Sequence, residues 1–216
     1  MCLVRDHDVR VALRNHLVVE HANDSSTRVM EELGLCEEVR VDFAVINGAF
    51  TGFELKSERD TLARLPRQEA TYSRVFDYVY LVAAGNHIDR AQQLIPSWWG
   101  IVTALPTTTS GVSLRFDRVA IENPTVDASA VVQLLWRDEA LAILARMGAD
   151  RGVRSKPRAE VWERLIETLN VADLRSEVRE VLKARPGWRE NPKRRGSVVT
   201  SRLSGTTPRF LARRIH

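Results

Sequence analysis

Apolar residues recur at Val9, Leu13 and Leu17, a four-residue spacing that lines one side of a helix over Asp6 to Leu17. Asp24-Ser25-Ser26 then offers side-chain acceptors for a second helix start, and Gly34 a stop, so this stretch predicts a helix through Leu33. Beyond it the period changes. Two short runs rich in Val, Phe and Ile, within Arg40 to Lys56, flank a turn containing Asn47-Gly48 and predict a β-hairpin. Ser57 to Leu65 reads as a helical turn or loop, and Pro66 is suited to starting a helix that runs to about Val75. Tyr78 to Ala84 is a continuous apolar run, the pattern of a strand buried on both faces. A helix over His87 to Leu94 and another buried strand over Trp99 to Ala104 follow. Strand, helix and strand at this spacing imply a parallel crossover. Val112–Phe116 and Val119–Ile121 add edge strands, which makes the sheet mixed.

From Asp127 the period is helical again. Ala128 to Met147 is expected to form one helix ended by Gly148, Ser155-Lys-Pro starts another through Leu169, and Asp173 caps a third ending near Lys183. Such a three-helix module either packs beside the sheet, the default, or reads DNA as a helix-turn-helix. Trp98, Trp99, Trp136 and Trp162 are expected as core or interdomain anchors. The chain therefore divides into an α/β domain over 1–125, a helical region over 126–185 and a tail over 186–216.

The candidate chemistry lies in the hairpin. Glu54-Leu55-Lys56 ends its second strand, and Asp42 stands twelve positions upstream. Alternation along a strand puts Glu54 and Lys56 on one face and Leu55 on the other. Two carboxylates near an ammonium suit a divalent metal and a scissile phosphate, because Mg²⁺ takes hard oxygen ligands and keeps several waters. The triplet alone is weak: the chain has 28 acids and four lysines, and random placement yields roughly half such a triplet per chain. The bland alternative is a cross-strand ion pair on a surface strand. Register sharpens the choice. With a two-residue turn at Asn47-Gly48, Asp42 would face the side of Phe53 and Leu55. Asp42 joins Glu54 only if the loop is odd in length or a bulge intervenes. An odd-length loop or a bulge is therefore expected; a three-residue loop, Asn47-Gly48-Ala49, with Gly48 or Ala49 near the left-handed region, would supply it.

These residues carry a family resemblance. Glu32-Leu33-Gly34, Arg40-Val-Asp42, Gly52-Phe-Glu-Leu-Lys-Ser57, Asp60 to Gln68, Tyr72 and Val75-Phe-Asp77 resemble the PD-(D/E)XK nuclease superfamily. They resemble more closely a bacterial family of small proteins known as the sce7726 family. The match continues through Ile95 to Ile101 and Leu135 to Leu141 and covers most of the chain. The resemblance implies a restriction-endonuclease-like core, a mixed central sheet flanked by helices, here with a C-terminal helical region and a basic tail. It also implies a Mg²⁺- or Mn²⁺-dependent nuclease. Asp42, Glu54 and the Leu55 carbonyl would hold the metal, and Lys56 would act at the attacking water. Glu32, with Glu31 as rival, would be the assisting acid on the first helix, and Gln68 the polar residue of the following helix. The Pro that precedes the Asp in the superfamily pattern is replaced here by Val41.

Charge suggests the substrate. Residues 183–216 hold ten Lys/Arg and one acid, a charge of +9, which leaves −5 for residues 1–182 from the net +4. Pro, Gly, Ser and Thr throughout this segment suggest a flexible tail. Lys193, Arg194 and Arg195 would bind phosphate backbone, unless the tail only aids solubility or docks a protein. Arg59, Arg64, Arg67 and Arg74 would line a phosphate path over the metal, or else form a solvated helix face. Nucleic acid, DNA first, is the expected partner, with a protein partner or a second copy also open. Cys2 and Cys36 have no metal or redox spacing, the five histidines show no paired ligand pattern, and there is no signal-peptide or transmembrane-length apolar run. A cytoplasmic protein is expected, with no membrane partner. Phage defence, mobile-element biology and DNA repair are the settings for such a nuclease. The alternative function is a non-catalytic nucleic-acid or protein-binding module that keeps the fold.

Overall fold

The structure is a computed structural model and describes residues 3–108 and 111–185. Helix α1 (Asp6–Glu20) buries Val9, Leu13 and Leu17, as their spacing predicts. The next element departs from expectation. Residues 28–35 form strand β1 (Arg28–Leu35), not a helix. Asp24 does accept hydrogen bonds from Ser26 and Thr27, but they close a turn that leads into a strand. Tertiary burial decides the outcome. Met30, Leu33 and Leu35 are sunk in the core, and β1 pairs along its length with strand β2 (Val39–Ile46), from Arg28 opposite Ile46 to Leu35 opposite Val39.

Strand β2 turns into β3 (Phe50–Lys56) through Asn47-Gly48-Ala49. Ile46 pairs with Phe50 and Phe43 with Phe53, so the loop has the expected odd length. The expected left-handed residue is absent, since neither Gly48 nor Ala49 has positive φ. The Asn47 side chain closes the loop instead, its Oδ1 accepting from Ala49 N–H at 2.9 Å, as Asn does in turns.

Helix α2 (Leu65–Val75) crosses to β4 (Tyr78–Ala84), which runs parallel to β3. Helix α3 (Gly85–Ala91) then leads to β5 (Gly100–Pro106), parallel to β4. Strand β6 (Val112–Arg118) closes the sheet antiparallel to β5. It is a single edge strand; Val119–Ile121, expected as another, lies beyond it. The six strands stand in sequence order across one mixed sheet. Gly52, in the middle of β3, has no room for a side chain: a Cβ there would come within 2.8 Å of the Phe76 ring.

Helix α1 covers one face of the sheet, with Phe43, Phe53, Tyr80 and Val82 beneath it. Helix α2 and the C-terminal helices cover the other. That helical region differs from expectation in two places. Ala128–Met147 is broken: α4 (Ala128–Val131) passes into a 3-10 turn (Val132–Leu134), the chain extends at Leu135 and Trp136, and α5 (Arg137–Arg146) starts afresh. The Glu139 carboxylate accepts the Trp136 N–H at 2.7 Å and fixes that restart. Gly148, at φ +69°, ends α5 as expected. Helix α6 (Arg158–Thr168) follows, and α7 (Val171–Ala184) is capped by Asn170, not Asp173. Asn170 is the extended residue before the first turn, and its side chain accepts from Asp173 N–H at 2.9 Å. Val161, Leu165, Leu174, Val178 and Leu182 join the same apolar cluster as the sheet residues Leu81, Ala83 and Ile101. A buried charge reinforces this contact: Asp77, between α2 and β4, accepts from Phe50 N–H at 2.7 Å and from the guanidinium groups of Arg175 and Arg179 on α7.

Candidate active site

Both edges of the β1–β2 pairing are distorted at one level. Met30 and Leu33, three residues apart, lie in the same cluster, as do Val41 and Ala44. A regular strand would put residues three apart on opposite faces. Glu32, at φ +57°, absorbs the change in β1. Asp42 stands at the corresponding place in β2, one step beyond the last β2–β3 pair, Phe43 with Phe53. Its side chain substitutes for a strand partner there, with Oδ2 accepting from Leu55 N–H at 2.9 Å.

This distorted end of the sheet opens into a cavity of about 660 Å³. Asp42, Glu54, Leu55 and Lys56 line it from the strands, Gln68, Arg64 and Arg67 from the start of α2, and Asp6 and Arg10 from α1. The three-residue hairpin loop and the irregularity at Asp42 together bring Asp42 and Glu54 to one cavity.

Glu54 is 2% exposed and is held by three donors. Lys56 Nζ lies 2.6 Å from Oε1, Gln68 Nε2 donates to the same oxygen at 2.5 Å, and the Tyr72 hydroxyl donates to Oε2 at 2.6 Å. Lys56 Nζ also donates to Gln68 Oε1 at 3.1 Å, so the strand lysine and the helix amide brace one another. Gln68 and Tyr72 are four apart on α2, and both turn toward Glu54, as their shared helix face predicts. Tyr72 is fully buried and stacks on Trp99 at 5.9 Å between ring centroids. Burial pushes the Glu54 carboxyl above its ordinary range against the pull of Lys56, and the nearby Asp42 charge pushes the same way. Burial also raises the Asp42 carboxyl, opposed by the Leu55 N–H and by Arg10.

Four expectations change. Glu32 lines the cavity with Asp42 and Glu54, but from strand β1 and not from the first helix; Arg10 Nη1 pairs with its Oε1 at 3.0 Å and Arg40 Nε with its Oε2 at 2.6 Å. Its rival Glu31 is held by Arg14 at 2.7 Å. The acid that the first helix brings to the cavity is Asp6. Among the arginines, Arg64 and Arg67 are exposed on the cavity rim. Arg59 is exposed but does not line the cavity, and Arg74 is turned toward Glu38 and Asp127, at 3.3 and 3.4 Å. Lys193, Arg194 and Arg195 lie outside the described residues. Trp98 and Trp99 are buried anchors, and Trp162 is partly buried with its Nε1 toward the Leu135 carbonyl at 3.3 Å. Trp136 is 55% exposed, with the Arg185 guanidinium 4.1 Å above its ring, and so is not a core residue.

Sequence reasoning missed Arg10 altogether. Its Nη2 donates to Asp42 Oδ1, and its Nε lies 3.3 Å from Asp6. The only local signal was the Asp6/Arg10 spacing of four on a helix, which is as common on solvated faces.

Fold and cavity define an α/β protein with paired carboxylates and a buried lysine at one end of a mixed sheet. The model of the family described as Bacteriophage P4 protein cII matches residues 2–192, and the chain belongs to that family. Protein cII of Enterobacteria phage P4 is 29% identical over 100 residues, which are 46% of this chain and 38% of that protein. The chain thus matches well under half the length of that relative. A Silicibacter pomeroyi protein of unknown function superposes with a TM-score of 0.38 at 20% identity, covering 69% of this chain and 91% of that one. Among the described residues no helix is long and apolar enough to cross a membrane.

Proposed function

We propose that the chain is a metal-dependent nuclease that hydrolyses phosphodiester bonds, with DNA as substrate, on a restriction-endonuclease-like core. The observation that carries this reading is the meeting of Asp42, Glu54 and Lys56 at one open cavity, with Arg64 and Arg67 on its rim.

The donor set fits a hard divalent cation in its chemistry. Asp42, Glu54 and the Leu55 carbonyl supply oxygen only, and both carboxyls are raised by burial, the condition a cation would relieve. Among the described residues no group of three or more His, Cys, Asp or Glu side chains is arranged to hold a metal; an ion held by Asp42 and Glu54 alone would have to retain several waters, as Mg²⁺ and Mn²⁺ do. When bound, such an ion supplies charge stabilisation and an activated water. The chain's own residues do the rest. Lys56 is fixed by Glu54 and Gln68 at the cavity floor, where its ammonium orients water and offsets charge on the phosphate. Gln68 and Tyr72 hold Glu54 in place. Arg64 and Arg67 meet neighbouring phosphates, which positions the strand without reading its sequence.

A second reading rests on one specific observation. Arg10 and Lys56 already neutralise Asp42 and Glu54 from within the chain. A site balanced in this way would also suit a nucleic-acid or protein-binding module without catalysis.

The test is cleavage of plasmid, linear duplex and single-stranded DNA with Mg²⁺, Mn²⁺ or EDTA, using wild type, Glu54→Ala and Lys56→Ala. Metal-dependent cutting lost in both variants is expected. Cutting that survives both would remove the site, and binding without cutting would favour the second reading.

A further inference from the structure

We propose that Arg10 is a tethered cation that holds the Asp42 position until a divalent metal displaces it, which makes the metal-free site self-inhibited. This rests on the metal reading above and concerns how that site is regulated.

Three carboxylates from three elements surround one guanidinium. Nη2 donates to Asp42 on β2, Nη1 lies 3.0 Å from Glu32 on β1, and Nε lies 3.3 Å from Asp6 on α1. Asp42 is the proposed metal ligand, and each of its oxygens already accepts a hydrogen bond: Arg10 donates to Oδ1 and the Leu55 N–H to Oδ2. A metal approaching Oδ1 therefore meets the Arg10 charge on the same oxygen. Arginine suits such a contact, because its planar fork can span several carboxylates and it stays charged at any relevant pH. The competition is electrostatic. One carboxylate oxygen in a half-buried setting is stabilised by one close cation, and a second cation there would be repelled.

The geometry also gives the displaced side chain a place to go. Arg10 has a flexible stem, is partly exposed and lines the same cavity as Arg64 and Arg67. A guanidinium released from Asp42 would pair with a substrate phosphate at the rim. Metal and nucleic acid would then favour one another's binding, each occupying one side of a contact that Arg10 otherwise closes.

The test measures Mn²⁺ affinity by calorimetry or electron paramagnetic resonance on the full chain, without nucleic acid. Arg10→Gln is expected to bind Mn²⁺ about tenfold more tightly than wild type, the scale of one charge-assisted hydrogen bond removed from competition. The thermal shift on adding Mn²⁺ should increase in the same variant. Arg10→Gln leaves Asp42 without its cation and could impair folding, so Glu32→Gln provides a second route. It removes one anchor of Arg10 at a more exposed carboxylate and should tighten Mn²⁺ binding to a smaller degree. Unchanged or weaker affinity in a folded Arg10→Gln protein overturns the proposal. Weaker affinity in Glu32→Gln overturns it too, since Glu32 would then be a ligand and not an anchor. A wild type and an Arg10→Gln variant that both bind no Mn²⁺ would remove the metal reading itself, a result distinct from measurable but unchanged affinity.

Discussion

Glu54 and Asp77 are both carboxylates at 2% exposure, both raised by burial, and both paired with cations. Their surroundings differ. The partners of Glu54 lie within eighteen residues of it, on β3 and α2, and a second carboxylate shares its cavity. The arginines of Asp77 come from α7, about a hundred residues away, and they fasten the helical layer to the sheet. Asp77 does not line the cavity. A buried ion pair is therefore no sign of chemistry by itself. It marks architecture where it joins distant elements, and a candidate active site where acids converge on an opening.

The strongest way to test this contrast is to change one residue at each centre. Lys56→Met keeps the apolar stem and leaves Glu54 with its Gln68 and Tyr72 donors. If Lys56 serves chemistry, metal-dependent cleavage should fall on the order of 10²–10³-fold while the protein stays folded by circular dichroism. Cleavage at the wild-type rate would place Lys56 with Asp77, among structural charges. Asp77→Ala should do the opposite. It strands Arg175 and Arg179 and takes the acceptor from Phe50 N–H, and removing one partner of a buried pair costs about 3 kcal/mol. The denaturant midpoint should drop accordingly, with the rate per folded molecule unchanged. A rate loss in fully folded Asp77→Ala would break the distinction from the other side.

The two centres were not equally legible. Glu54, Lys56, Gln68 and Tyr72 sit in elements whose periodicity is plain, and a strand end followed by a Pro-started helix brings them together locally. The odd hairpin loop followed from requiring Asp42 to face Glu54, although Asn47-Gly48 favoured a shorter turn; the Asn47 side chain resolves that conflict. Strand β1 was not legible. Ser25-Ser26 before Glu31-Glu32-Leu33-Gly34 looks like a capped helix, and only pairing with β2 and burial of Met30, Leu33 and Leu35 make it a strand. That error also misplaced the first-helix acid. Arg10 on Asp42 and Arg175 on Asp77 span 32 and 98 residues, and nothing local in sequence encodes such meetings.

A smaller effect separates positioning from packing. Tyr72→Phe keeps the ring stacked on Trp99 but removes one hydrogen bond to Glu54. Hydrogen bonds to charged groups contribute about 1.5–3 kcal/mol, so some loss of stability is expected in any case. The informative readout is Mn²⁺ affinity. A Glu54 held by two donors instead of three should bind the ion several-fold differently from wild type, whereas a purely packing role for Tyr72 would leave affinity unmoved as stability falls.

The smallest expected effect lies in the pH dependence of Asp77. Burial raises its carboxyl above the ordinary 3.8, against the pull of Arg175, the Phe50 N–H and Arg179. Between that value and the raised one, the folded state holds more protons than the unfolded state. Stability from this group is then complete below about pH 3.8 and is lost as pH rises through the folded value. Asp42 and Glu54 are raised in the same direction, so wild type alone cannot isolate the effect. The difference between wild type and Asp77→Asn can, because the cavity carboxylates contribute to both proteins and cancel. That difference, read from urea unfolding across mildly acidic to neutral pH, should show wild type losing ground to the variant as pH rises, by less than about 1.4 kcal/mol per pH unit. A flat difference would mean the two arginines fully offset the burial of Asp77. The reverse slope would mean they exceed it, and the clamp on α7 would then be a net stabilising ion pair rather than a buried charge kept for the contact it specifies.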